Sequence, residues 1–221
     1  QPADAMPELA NAEAVAAPAD GDRVLLWGDT HVHSTNSIDA FSSGMANADA
    51  ESAYRFARGM PVIFPRTSQR VQIDRPLDFM VLADHAVSLG VSSRIAAGDP
   101  EILKYPIAQK LLTILREQGG RALTAATMFG GGLSEEERAQ YEAEMQSPEV
   151  LRASWANQVA AAERHNRPGE FTALIGWEWT SAPNMRNLHR VVFINGDGRV
   201  ANQFLPFANY MSDRPEDLWA F

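Results

Sequence analysis

RVLLWGDTHVHSTNSIDA, residues 23–40, runs from an apolar stretch into two histidines one residue apart, with an aspartate six residues further on. The first part, RVLLWGDTHVH (23–33), reads as a buried strand. Side chains at i and i+2 of a strand share a face. His31 and His33 are therefore placed as a strand places two ligands for one metal ion.

The same signature recurs along the chain. LDFMVLADHA (77–86) is a second apolar run and ends in Asp84-His85. FTALIGWEWTS (171–181) is a third strand, with Glu178 between Trp177 and Trp179. LHRVVFINGDGR (188–199) is a fourth, opened by His189 and closed by a turn at 195–198. Four of the five histidines fall at these strand ends, and only His165 does not. A lone strand histidine or an aspartate in a turn is most often structural. Glu178 is harder to explain that way, because a carboxylate buried in an apolar run without a partner is costly. It calls for a cation.

Helical patterns lie between the strands. ADAESAYRFARG (48–59) has Asp49 as its N-cap and Gly59 just past its end. Residues 61–76 read as a loop or short hairpin. Residues 99–120 are helical, opened by Asp99-Pro100, kinked or restarted at Pro106 and stopped by Gly119. TMFGGGLS (127–134) lacks the Lys-Ser/Thr ending of a phosphate loop and reads as a flexible connector. Ser134 and Glu137 form a capping-box pattern, Ser147-Pro148-Glu149 opens a helix ending near Asn166, and Pro215 opens another. Strands separated by helices predict an α/β fold with a parallel sheet, whose C-terminal strand edge carries the functional groups.

Composition narrows the chemistry. The 221 residues are 45% hydrophobic and 21% charged, enough for one substantial core. The net charge of −9 is unlike the basic footprint of a nucleic-acid binder. With no cysteine, any metal must be held by His, Asp and Glu, a donor set that suits Zn, Mn or Fe. No apolar run approaches the roughly 18 residues of a membrane span. Residues 1–20 read as an Ala/Pro-rich tail or linker, and 21–221 as one domain. The tail favours a periplasmic or secreted location, with a cytoplasmic one as the alternative.

HVHSTNSIDA, VLADHA, LIGWEWTS and NLHRVVF together resemble motifs of the PHP (polymerase and histidinol phosphatase) superfamily. With YRFARG and RPEDLW they resemble a narrower group of longer bacterial PHP-like proteins, classed as a domain family of unknown function. The resemblance covers nearly everything after residue 22 and implies a distorted (β/α)7 barrel with up to three Zn, Mn or Fe ions. It implies that His31 and His33 bind the first ion, Glu178 bridges two, and His189 belongs to the second. Asp39 and His85 belong to the third, with Asp84 orienting a ligand or handling a proton. Arg186 and Arg190, beside His189, are candidates for contacts to an anionic substrate. The superfamily's later motifs lie beyond Phe221, so the chain reads as a barrel cut short at its C-terminus, to be completed by a missing segment or a second chain.

The expected activity is metal-dependent hydrolysis of a small phosphate ester or related anionic ester by a metal-bound hydroxide, with Asp84 and His85 in catalytic roles. The alternatives are an amidohydrolase-like metalloenzyme, against which Asp84-His85 argues, and a non-catalytic PHP-like metal-binding module.

Overall fold

The computed structural model describes residues 24–221. The expected tail at 1–20 lies outside the described residues. Strand β1 (Gly28–Val32) is followed by helices α1 (Ile38–Ser42) and α2 (Ala50–Ala57), then strands β2 (Val62–Phe64), β3 (Gln69–Val71) and β4 (Phe79–Leu82). Six helices follow: α3 (Val91–Ala97), α4 (Pro100–Leu103), α5 (Pro106–Gln118), α6 (Gly120–Phe129), α7 (Glu135–Met145) and α8 (Pro148–His165). Strand β5 (Thr172–Ser181), strand β6 (Leu188–Phe193) and the short helices α9 (Gly198–Ala201) and α10 (Pro215–Ala220) complete the order. None of the described helices is long and apolar enough to cross a membrane.

The fold is α/β, with a mixed sheet. Strands run in the order β1-β4-β5-β6 and curl like half a barrel. β1 pairs parallel with β4, and β4 with β5, but β6 runs antiparallel to β5, Ser181 facing Leu188 and Gly176 facing Phe193. The fully parallel sheet expected from strand–helix alternation therefore stops at β5. Only six residues separate β5 from β6, too few for a parallel crossover. This reversal matters for the site: the start of β6 lies beside the end of β5, so His189 opens its strand at the edge where the others end.

Local signals of the helix ends hold. Asp49 caps Ser52, Asp99 caps Glu101, Ser134 and Glu137 complete their capping box, and Ser147 caps Val150. The hairpin β2–β3 occupies the segment read as loop or hairpin. Helices α1, α3 and α6 were not legible. The Val24–Trp27 run also departs from expectation. It is not strand, and its four side chains are 53–79% exposed. β1 is an edge strand of the described sheet, and the stretch is held mainly at Trp27, whose N–H donates to Asp78 Oδ2 at 2.7 Å and whose ring lies under the Arg75 guanidinium at 5.8 Å.

Helix α8 ties the sheet together from one face. Trp155, Val159 and Ala162 are buried there, and Trp155 meets Trp177 of β5 edge to face at 6.0 Å. The Gln158 amide donates to the carbonyls of both Leu82 and Gly176, at 3.0 and 2.8 Å. Gly176 permits close strand packing, since a Cβ there would lie 2.5 Å from the Val192 carbonyl oxygen. At its C-terminal end α8 is pinned to α2. His165 Nε2 donates to Glu51 at 2.7 Å and its Nδ1 accepts from Arg58 at 3.2 Å, while its ring stacks on Tyr54. That contact gives the fifth histidine a structural role. Burial opposes ionisation of Glu51, but the contacts with His165 and Arg164 outweigh it and hold the carboxyl below its ordinary range.

Two outcomes follow for stability. Gln158→Leu strands two buried carbonyls and should cost about 2–4 kcal/mol in urea denaturation. Glu51→Gln should lower stability at pH 7. A depressed carboxylate contributes stability above its unfolded pKa and loses it as pH falls, so the gap to the wild type should close below about pH 4 in pH-resolved melts.

Candidate metal centre

Glu178 sits near the middle of the sheet's functional edge, on the β5 face opposite Trp177 and Trp179. Those two indoles donate to the Phe207 and Ser212 carbonyls on the far side. Alternation along β5 turns Glu178 and Thr180 into the site. The chain beyond β4 continues alongside: Glu178 N–H donates to the Asp84 carbonyl at 3.0 Å, and Ala86 N–H to that of Glu178 at 2.9 Å. His85 is thereby set against Glu178.

Four imidazoles converge on this one carboxylate. Oε2 lies 3.3 Å from His31 Nε2, 3.2 Å from His33 Nε2 and 3.0 Å from His85 Nδ1, and Oε1 lies 2.6 Å from His189 Nδ1. The Glu178 side chain is 1% exposed, and neither oxygen receives an aligned hydrogen bond. The β1 ladder slips by one residue between Asp29 and Val32. Such a bulge re-aims side chains, and here both His31 and His33 reach Glu178 although His33 lies beyond the strand's end. Asp39, early in α1, approaches from the open side, 3.3 Å from His33 Nδ1 and 3.5 Å from His85 Nε2.

These groups form three triads whose donor atoms lie within 4.8 Å of one another: His31, His33 and Glu178; His33, Asp39 and His85; His85, Glu178 and His189. Bonds of about 2.0–2.1 Å to a tetrahedral ion put neighbouring donors about 3.4 Å apart. The separations of 3.2 and 3.3 Å in the first triad match that spacing. The first and third triads share only Glu178, whose Oε2 faces His31, His33 and His85 and whose Oε1 faces His189. The middle triad calls on the other nitrogen of His33 and of His85.

Electrostatics fit a cation. Burial opposes charge on His33, yet Asp39 and Glu178 raise its pKa to about 10. His85 is likewise raised, against burial, by the same carboxylates. Asp39 and Glu178 are held well below the carboxylate range by their histidine neighbours, which overcome the penalty of burial. Protons thus balance the carboxylates when no ion is bound, and a divalent ion would displace them.

Further groups hold the rings, and sequence reasoning did not single them out. Ser37 Oγ lies 2.6 Å from His33 Nδ1 and accepts from the His85 N–H at 3.1 Å. Thr180 Oγ1 lies 2.5 Å from His85 Nδ1. Alternation two residues past Glu178 was the available signal for Thr180; Ser37 had none beyond its motif. Asp84 is fully buried and accepts from Ser34 N–H at 2.5 Å and Ser34 Oγ at 2.6 Å, locking the turn after His33. Burial pushes its carboxyl up to about 6, against the opposing effect of Ser34. Arg190 lies on the β6 face opposite His189, and its guanidinium donates to the His189 carbonyl at 2.7 Å. Arg186 is exposed after the turn at 183–185. Among the described residues neither arginine pairs with a carboxylate of the cluster.

A family model described as a protein of unknown function (DUF3604) matches residues 20–221. The chain belongs to the DUF3604 family. No curated protein and no solved structure matches it.

If this DUF3604 centre holds an ion, Mn²⁺ or Zn²⁺ at 100 times its Kd should stabilise the fold by about 2.7 kcal/mol, read as a rise in melting temperature. Ser37→Ala should weaken that ion by about 10–100-fold, read by titration.

Proposed function

We propose that this DUF3604 chain carries the metal centre of a PHP-type hydrolase acting on phosphate esters or related anionic esters. The observation that carries the reading is the buried Glu178 carboxylate, faced by four imidazoles and hydrogen-bonded by none. The half-barrel sheet with its cluster at the C-terminal strand edge supports a distorted (β/α)7 barrel.

The donors suit up to three Zn, Mn or Fe ions. His31 and His33 would hold one, His189 a second, Glu178 both, and Asp39 with the Nε2 side of His85 a third. Bound ions of this kind lower the pKa of water and neutralise charge developing on a transferred phosphoryl group. The remaining work falls to the chain itself. Ser37 and Thr180 orient the imidazoles. Asp84 is a positioning residue that acts through Ser34. Glu178 and His85 close the floor, while His31 and Asp39, each about half exposed, leave the opposite side open to an anionic substrate.

The test is turnover of p-nitrophenyl phosphate and bis(p-nitrophenyl) phosphate by the chain after chelation and reloading with Mn²⁺ or Zn²⁺. Activity should vanish on chelation, return with metal, and fall by about 100-fold or more in His189→Ala. A folded, metal-loaded chain with no turnover of either ester overturns the reading.

A further inference from the structure

A second concavity lies outside the metal cluster. A cavity of about 340 Å³ opens between the end of α6, one face of α7 and the segment at 209–210. Its size falls in the range of small-molecule sites. Val87, two residues past His85, forms part of its wall. The far wall is tied to β5 just beyond Glu178: the Trp179 indole donates to the Ser212 carbonyl, and the Ser181 hydroxyl donates to that of Asp213 at 2.9 Å.

Three observations converge on this cavity. Phe129 and Tyr210 line it and remain 68% and 45% exposed. Large exposed aromatics gathered around a concavity mark a binding surface rather than a packing fault. Second, its base is rigid. Ser88 takes a left-handed backbone conformation (φ 56°) and is fixed three ways: its N–H donates to Gln146 Oε1, its Oγ accepts from Gln146 Nε2, and its Oγ lies 2.6 Å from Tyr141 OH. Third, Arg138 and Glu142 both line the cavity one helical turn apart, yet form no ion pair with each other. Among the described residues neither has a charged partner. Arg138 lies instead over Gly130 (φ +66°), where a Cβ would come within 2.5 Å of its Cδ. Within TMFGGGLS, Thr127–Phe129 close α6 and Gly130, its left-handed C-cap, leaves room for the Arg138 stem.

We propose that this cavity binds an aromatic ring carrying an uncharged hydrogen-bonding substituent, of the phenol or aryl-amide class. The ring lies against Phe129 and Tyr210. The substituent accepts from Arg138 and donates to Glu142, which is why a net charge on it is not required. The proposal goes beyond the hydrolase reading and does not depend on it.

The experiment is an amide-resolved NMR titration of the full chain with benzamide, alongside cyclohexanecarboxamide. Benzamide should give saturable shifts at Val87, Phe129 and Tyr210. Its affinity should fall by about tenfold in Phe129→Ala and in Tyr210→Ala, and cyclohexanecarboxamide should bind more weakly than benzamide. Phe129 is exposed, so its removal leaves the core intact, and Tyr210→Ala gives an independent second reading. His189→Ala, which disables the metal centre, should bind benzamide as the wild type does. Absence of shifts at these residues, unchanged affinity in both aromatic variants, equal binding of the saturated ring, or loss of binding in His189→Ala would each overturn the proposal. Because the readout needs no turnover, failure of the hydrolase assay leaves this result standing, and failure here leaves that assay untouched.

Discussion

Glu178 places a full carboxylate in the interior of a β-sheet, at a position where water does not reach it. An isolated buried charge costs several kcal/mol even after relaxation. The chain meets that cost by bringing four imidazoles from three other segments to the same two oxygens. Much of the surrounding structure follows from this requirement. The β1 bulge, the Ser34–Asp84 lock, the Ser37 and Thr180 contacts and the extension of β4 alongside β5 each fix one of the converging rings. Yet none of the imidazoles is aligned to donate a hydrogen bond to Glu178. Both carboxylate oxygens are thereby left free to take a cation.

The reversal of β6 is the topological device that completes the set. A parallel crossover after β5 would carry the chain to the opposite end of the sheet, and the next strand would offer its last residues to the site. The tight return lets β6 offer its first residues instead, so His189 arrives beside Thr180 in register. Trp177 and Trp179, on the other face of the same strand, anchor the chain that follows β6 through their indole hydrogen bonds. One ten-residue strand therefore supplies the central carboxylate of the cluster on one side and, on the other, the scaffold for the segment beside the aromatic cavity.

The clustering of the site's side chains was more legible in the sequence than the fold around them. His31, His33, His85, Glu178 and His189 stood out at the ends or starts of apolar runs, a carboxylate in LIGWEWT has no apolar explanation, and Asp39, in α1, stood out only through the HVHSTNSIDA motif. Helix caps were legible for a similar reason: Asp49, Asp99, Ser134 and Ser147 act on backbone only two or three residues away. What failed was non-local. VLLW reads as a buried strand from its composition, but burial depends on what lies beside β1. Helices α1 and α3 are five and seven residues long, too short to display a period, and α6 begins at a glycine pair that reads as a stop. Ser37 gave no independent signal, because a serine that braces a histidine looks like any serine in a turn. Arg190 was misleading for the opposite reason: adjacency to His189 in sequence means the opposite face in a strand.

The most direct measurement is the metal content of the purified chain and of Glu178→Gln, determined by elemental analysis after equilibration with Mn²⁺ or Zn²⁺ and removal of free ion. The substitution keeps the shape of the side chain and removes only its charge. The expected result is a stoichiometric divalent ion in the wild type and its loss in Glu178→Gln, with both chains folded. A folded wild-type chain that retains no metal, or a Glu178→Gln chain that retains as much, would contradict the central claim that this buried carboxylate is built to share a cation.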